Sequence, residues 1–116
     1  EERVRAAIAD RSCNAVLIKP NQAGTVTGAR RALETARTAE WGTIVSARSG
    51  ETEDVTIAHL AVGWNAGQLK VGSFARSERM AKWNEVLRIE AELGPRARYA
   101  GRKALPPGAG TAPVGS

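Results

Sequence analysis

The sequence predicts an α/β fold with parallel strands, built from successive strand–helix units. Three observations predict it. Strand-like runs recur at 14–18, 43–45 and 68–72. Each is followed by a stretch with apolar residues at helical spacing. Between run and helix lie polar, glycine-bearing loops, where α/β proteins place their chemistry. A helix followed by three such units gives parallel strands with right-handed crossovers. Three strands leave both sheet edges open and expose too much to stand alone. The pattern is therefore expected to be part of a larger α/β barrel or doubly wound sheet, with a piece of a (β/α) barrel preferred. The first residue is Glu1, not methionine, as expected of a fragment or a processed chain.

The elements run in order along the chain. Residues 1–12 read as helix, with Val4, Ala7 and Ile8 on one face and Arg3, Arg5 and Asp10 off it. Asn14 to Ile18 centres on Ala-Val-Leu-Ile without polar alternation, the pattern of a strand covered on both faces. Lys19-Pro20-Asn21-Gln22 ends it, since proline cannot donate to a ladder, and Gly24 opens a loop. Thr25 is placed to cap a helix whose stripe is Val26, Ala29, Leu33 and Ala36, ending near Glu40. Thr43 to Val45 is the second strand. Ser-Ala-Arg-Ser-Gly-Glu-Thr-Glu-Asp, residues 46–54, is a loop in which Thr52, Glu53 and Asp54 are suited to capping the next helix. Ile57, Leu60, Ala61 and Trp64 mark that helix, stopped by Gly67, and Gln68 to Gly72 is the third strand. Ser77 is expected to cap a helix over 78–93 with Met80, Trp83, Val86, Leu87 and Leu93 on its apolar face; Gly94-Pro95 stops it. Residues 1–103 form the folded part. Residues 104–116, rich in proline and glycine, are expected to be a disordered tail.

Composition narrows the functional classes. Apolar residues make up 42% and charged residues 25% of the 116, as in ordinary globular domains. No apolar run approaches the ~20 residues of a membrane helix, so no membrane partner is expected. The single cysteine, Cys13, allows no internal disulfide, which fits a reducing compartment such as the cytoplasm; it is expected to be buried before the first strand. The net charge of +5 belongs to the C-terminal end. Arg96, Arg98, Arg102 and Lys103 lie there, and no acid follows Glu92. Setting those four aside leaves 13 of the 17 basic residues against 12 acidic ones. With aromatics at 4%, this is not the spread basic and aromatic face of a nucleic-acid binder.

In a barrel, function sits at the C-terminal ends of the strands. Lys19 ends the first, Ser46, Arg48 and Ser49 follow the second, and Lys70 closes the third. Strands about 4.8 Å apart would bring these groups to one mouth as an anion site. A lysine set among like charges can be neutral and act as a base. Taken singly, Lys19 is a solvated strand-end charge and Lys70 an edge lysine; their occurrence together favours a site.

Leu17-Ile18-Lys19-Pro20-Asn21-Gln22-Ala23-Gly24-Thr25 resembles the enolase segment that carries the catalytic lysine. Ser49-Gly50-Glu51-Thr52-Glu53-Asp54 is similar to the signature loop of that family. Gln68 to Gly72, Arg76 to Arg79 and Leu87 to Glu90 resemble its later segments, in unbroken order from Glu1 to Lys103. The resemblance implies the last three strand–helix units of an enolase-type TIM barrel, incomplete as a barrel. It implies a lyase that dehydrates 2-phosphoglycerate to phosphoenolpyruvate with Mg²⁺. Lys19 would be the base that takes the C2 proton. Lys70 would bind the substrate carboxylate and help keep Lys19 neutral, and Arg48 and Ser49 would hold the phosphate. The 46–49 loop would close over the substrate. The metal-binding carboxylates and the general acid would lie upstream of Glu1, with no metal ligand in this chain. Glu51, Glu53 and Asp54 would not be ligands. A homodimer is implied for the full-length protein, and the 116-residue chain alone would be inert and poorly folded.

One position departs from the family. Its loop reads Ser-His-Arg-Ser, and Ala47 stands where the histidine would contact the substrate beside the leaving hydroxyl. His59, the only histidine, lies in the helix after the loop and is not expected to replace it. A changed loop suits a changed substrate, so an enolase homologue forming carboxyphosphonoenolpyruvate in phosphonate antibiotic biosynthesis is the alternative. A non-catalytic paralogue and a basic-tailed binding module are further ones.

Overall fold

The computed structural model describes residues 1–107. The elements are α1 (Glu2–Ala9), β1 (Ala15–Ile18), α2 (Pro20–Ala23), α3 (Val26–Thr38), β2 (Gly42–Ser46), α4 (Thr56–Gly63), β3 (Gly67–Lys70) and α5 (Ser77–Leu93). Two short 3₁₀ turns come after α5, Gly94–Arg96 and Gly101–Ala104. The strands pair in parallel in the order β1-β2-β3. The sheet is α/β as expected and does not close into a barrel.

The sequence explains most of these elements. Thr25 caps α3, its Oγ1 accepting from the Gly28 amide at 3.0 Å. Ala29, Leu33 and Ala36 are fully buried, while Val26 is exposed. α2 is a single turn where the sequence suggested only a strand end. Proline at its first position presets φ, and Gly24 at φ +84° ends it. α4 ends at Gly63, ahead of Gly67, because Asn65 turns to φ +50° and the Arg37 guanidinium donates to the Trp64 and Asn65 carbonyls. Ser77 does not cap α5. It is the first helical residue, and no side chain caps that end.

The core lies between the sheet and α3 and α4. Ile18, Ala29, Leu33, Val45, Ala47, Ile57, Ala61 and Ala66 form it, with Val16, Ala32, Trp64 and Leu69 packed against it. Val16, Ile18, Val45 and Leu69 alternate toward those helices. Thr43, in register with Val16, shares that face and is buried, its Oγ1 donating to the Ala66 carbonyl at 2.8 Å; Leu17, Ile44 and Gln68 point the other way.

In this chain Leu17 is 43% exposed, because no layer packs on that face of β1 and the sheet does not close into the barrel for which a strand covered on both faces is expected. Two expectations need correction. Cys13 is exposed, since it sits in the link before β1 rather than in the sheet. On α5, Leu87 is exposed, and the buried residues are Lys82 and Ile89.

Ala104 and Pro106, assigned by sequence to the tail, lie against the sheet. A Cβ on Gly42 would stand 2.9 Å from Pro106 Cδ, and one on Gly67 would stand 3.1 Å from the Ala104 Cβ. Gln68 Nε2 donates to the Ala104 carbonyl at 3.0 Å. The rest of the tail assignment, 108–116, lies outside the described residues.

Candidate functional site

The ladder itself lines up the candidate residues. Ile18 pairs with Val45 and Val45 with Leu69; in the next row Ser46 pairs with Lys70. Lys19, one residue past Ile18 and still extended at φ −112° and ψ 99°, continues the row on the other side of Ser46. Residues in one row of a parallel sheet share the pleat and point to the same face. Ile18, Val45 and Leu69 face the helices. Lys19, Ser46 and Lys70 therefore share the face opposite α3 and α4, at the C-terminal strand ends, each about 4.8 Å from the next; Ala104 and Pro106 meet the other end of that face, at Gln68 and Gly42. Lys19 is half-buried and Lys70 exposed.

Arg48 and Ser49 are exposed just beyond this row. Among the described residues, the side chains of Lys19, Arg48, Ser49 and Lys70 make no hydrogen bond or ion pair within the chain. Ser46 differs. It is buried, and its hydroxyl donates to the Ala47 carbonyl at 2.9 Å, which leaves its lone pairs to meet a donor. Ala47 differs again. Its methyl is 4% exposed and belongs to the hydrophobic core, so this side chain offers a ligand no polar atom. The arrangement suits a small dianion: two ammonium groups flank a hydroxyl, with a guanidinium and a second hydroxyl next in the chain.

The loop behind these groups is held in place from α5. The Ala47 amide donates to the Lys70 carbonyl at 2.9 Å. The Arg48 amide donates to Glu51 Oε1 at 2.6 Å. Arg79 donates from Nη2 to the Ser49 carbonyl at 3.1 Å and from Nη1 to the Val71 carbonyl at 2.9 Å. Lys82 Nζ lies 2.9 Å from Glu51 Oε2, donates to the Glu78 carbonyl at 2.8 Å, and donates to the Thr52 carbonyl. The Lys82 side chain is 0% exposed and that of Glu51 5%. Burial pushes the Glu51 carboxyl up, but the Arg48 amide, the Lys82 hydrogen bond and the Lys82 and Arg79 charges together outweigh it and hold the carboxyl below its ordinary value. Asp54 accepts from the Thr56 amide at 2.9 Å at the start of α4, and hydrogen bonds from Thr56 hold its carboxyl below the usual range. Sequence reasoning assigned no role to Arg79 or Lys82. The available signal was phase: Lys82 stands one turn before Val86 and two turns before Ile89, inside the apolar stripe.

Other candidates fall away from the row. His59 pairs through Nε2 with Glu85 Oε1 at 2.9 Å, on α5, and Arg88 holds the other carboxylate oxygen at 2.6 Å. Arg96, Arg98, Arg102 and Lys103 lie beyond α5, at the far end of the chain from the row. Among the described residues no group of three His, Cys, Asp or Glu side chains comes together as a metal site. Glu51 is committed to Lys82 and the Arg48 amide. The residues present here therefore do not fit Mg²⁺, which needs several oxygen ligands around one point. No helix of the described residues is long and apolar enough to cross a membrane.

Residues 1–107 match the family of enolase C-terminal TIM barrel domains. The chain is 60% identical over 98 residues to "Enolase 1" of Desulfitobacterium hafniense (strain Y51), covering 84% of this chain and 22% of that protein. It is 55% identical over 100 residues to "Enolase" of Solanum lycopersicum, covering 86% of this chain and 22% of that protein. The chain thus spans about a fifth of the length of these curated relatives.

Proposed function

This chain belongs to the enolase family, through its C-terminal TIM barrel domain, and from that premise we propose that the longer protein is an enolase-type lyase that converts 2-phosphoglycerate to phosphoenolpyruvate. The observation that carries the reading is the row Lys19–Ser46–Lys70 on one face at the C-terminal strand ends. Lys19 Nζ takes the proton from C2. The C–H electron pair moves toward the carboxylate and then into the C2–C3 double bond as the C3 hydroxyl leaves as water. Lys70 holds the carboxylate where that charge gathers. Arg48 and Ser49 bind the phosphate, with Ser46 beside them. The 46–49 loop, held from α5, lines the substrate beside the reacting carbon.

Magnesium would stabilise the charge on the carboxylate when bound. Its ligands and the acid that protonates the leaving hydroxyl are assigned to parts of the longer protein outside this chain. A homodimer in the cytoplasm is the proposed setting, on the family resemblance alone. The 116-residue chain by itself is expected to be inert.

The test uses the full-length protein. In deuterated buffer, the wild type is expected to exchange the C2 proton of 2-phosphoglycerate. Lys19→Ala is expected to slow that exchange by at least about a hundredfold, with thermal unfolding unchanged. Wild-type exchange rates in Lys19→Ala would remove the base from the mechanism, and no exchange in the wild type would leave a non-catalytic paralogue.

One observation favours a second reading. Position 47 carries a core-facing methyl instead of a polar side chain, so nothing there contacts the C3 hydroxyl. A phosphono carboxylate substrate, turned over to carboxyphosphonoenolpyruvate, would suit that loop. Turnover of a phosphonate analogue at a higher kcat/KM than 2-phosphoglycerate decides for it.

A further inference from the structure

We propose that Lys82 and Glu51 form a positioning pair that sets the affinity of the 46–49 loop for the phosphate group, without touching substrate. The identity of the substrate rests on the proposed lyase function; the mechanics of the loop do not.

The ammonium of lysine has three N–H donors. Those of Lys82 meet three acceptors: Glu51 Oε2, the Thr52 carbonyl and the Glu78 carbonyl. The direction of each bond is then fixed, and none is left to rotate toward water. Glu51 passes this constraint on through its second oxygen, which accepts from the Arg48 amide. Arg79, one turn earlier on α5, adds the Ser49 carbonyl. Helix α5 thus holds the main chain at residues 48, 49 and 52, while the Arg48 and Ser49 side chains stay free of partners among the described residues. Because Glu51 takes the Arg48 amide, the phosphate is read by the guanidinium and hydroxyl, whose placement depends on that main chain.

Stability alone does not account for the pair. A buried ion pair is often replaceable by apolar residues of similar volume with no loss. What apolar residues could not supply is a bond to the Arg48 amide and the Thr52 carbonyl. A loop without helix or strand needs such bonds to keep a guanidinium within the tolerance that binding requires.

The test again uses the full-length protein, with 2-phosphoglycerate as substrate and inorganic phosphate as competing ligand. Glu51→Gln keeps an oxygen for the Arg48 amide but turns an N–H₂ toward Lys82. We expect KM to rise about ten- to a hundredfold, inorganic phosphate affinity to fall in parallel, and kcat to change less. Amide hydrogen exchange at residues 47–53 should quicken while that of α3 stays constant. Lys82→Met should weaken phosphate binding in the same way, and Lys82→Arg, which keeps the charge and several donors, should retain part of the affinity. A Glu51→Gln protein that melts earlier but keeps KM and phosphate affinity would make the pair structural only and overturn the proposal. Rapid exchange of the Arg48 amide in the wild type would overturn it too, whatever the variants' folding. If the wild type binds phosphate but does not process 2-phosphoglycerate, the proposed lyase function fails, while phosphate affinity and amide exchange still decide on the pair.

Discussion

Two groups of cations border the same loop, and they are treated in opposite ways. At and just beyond the C-terminal strand ends, the side chains of Lys19, Arg48 and Lys70 make no bond within the described residues. On α5, Lys82 commits all three donors, to Glu51 and two main-chain carbonyls, and Arg79 gives two of its five to main-chain carbonyls. An unpaired cation at a strand end is available to a ligand; a saturated, buried one can only hold its surroundings. Charge alone does not mark function here: of five cations near the loop, the free ones are candidates to bind and the committed ones to position.

The largest expected effect tests that division directly. In the full-length protein, Lys82→Met leaves the Glu51 carboxylate buried without its counter-ion and should cost about 3–5 kcal/mol of stability. Lys70→Met should cost clearly less, because losing that ammonium leaves no buried carboxylate of the described residues without its counter-ion. Denaturant unfolding measures both. Equal costs at the two positions would erase the distinction between holding and binding cations.

A second contrast lies across the sheet. Leu33, fully buried under the helices, and Leu17, on the face with Lys19, differ most clearly in exposure. Leu33→Ala should cost about 2–5 kcal/mol. The interior of a TIM barrel is a packed core, not a pore, so the face that carries Leu17 is covered once the barrel closes. Leu17→Ala in the full-length protein is therefore expected to cost at least about 2 kcal/mol as well. A cost below about 0.5 kcal/mol would mean that this face meets water even in the whole protein, and the cationic row with it.

Much of this was legible in the sequence, for local reasons. Thr25 ahead of a stripe at Ala29, Leu33 and Ala36 predicts a capped, one-sided helix from short-range chemistry alone. Parallel pairing is dictated by the alternation of runs and helices, and once strands are parallel and in sequence order, Lys19, Ser46 and Lys70 must come abreast. The ordered motifs from Leu17 to Glu90 also pointed to the family that residues 1–107 match. The features that stayed hidden depend on distant partners. Lys82 lies in phase with the apolar stripe, which hints at burial, but nothing near it in sequence names its counter-ion; Glu51 lies 31 positions earlier. Leu17 reads as buried because Ala-Val-Leu-Ile is apolar, and it is exposed here because no layer of this chain packs on that face of the open sheet. Ala47 reads as a loop residue at the site, yet a methyl is small enough to turn into the core.

The smallest expected effect is a matter of pH. The Glu51 carboxyl is held below its ordinary value, since the upward push of burial is outweighed by the Arg48 amide and the Lys82 and Arg79 charges. A folded-state value below the unfolded one means that the native protein binds fewer protons. Its contribution to stability is then fully present above the ordinary glutamate value, about 4.3, and is lost as pH falls from there through the folded value. Asp54 and Glu85 are lowered too, so the wild type alone cannot assign the loss to one carboxylate. Glu51→Gln supplies the control: at neutral pH it should be the less stable protein, and its denaturation midpoint should fall less steeply below about pH 4.3. Parallel acid profiles for the two proteins would mean that Lys82 holds the loop through its carbonyl bonds alone, and that the carboxylate adds nothing to the grip of α5.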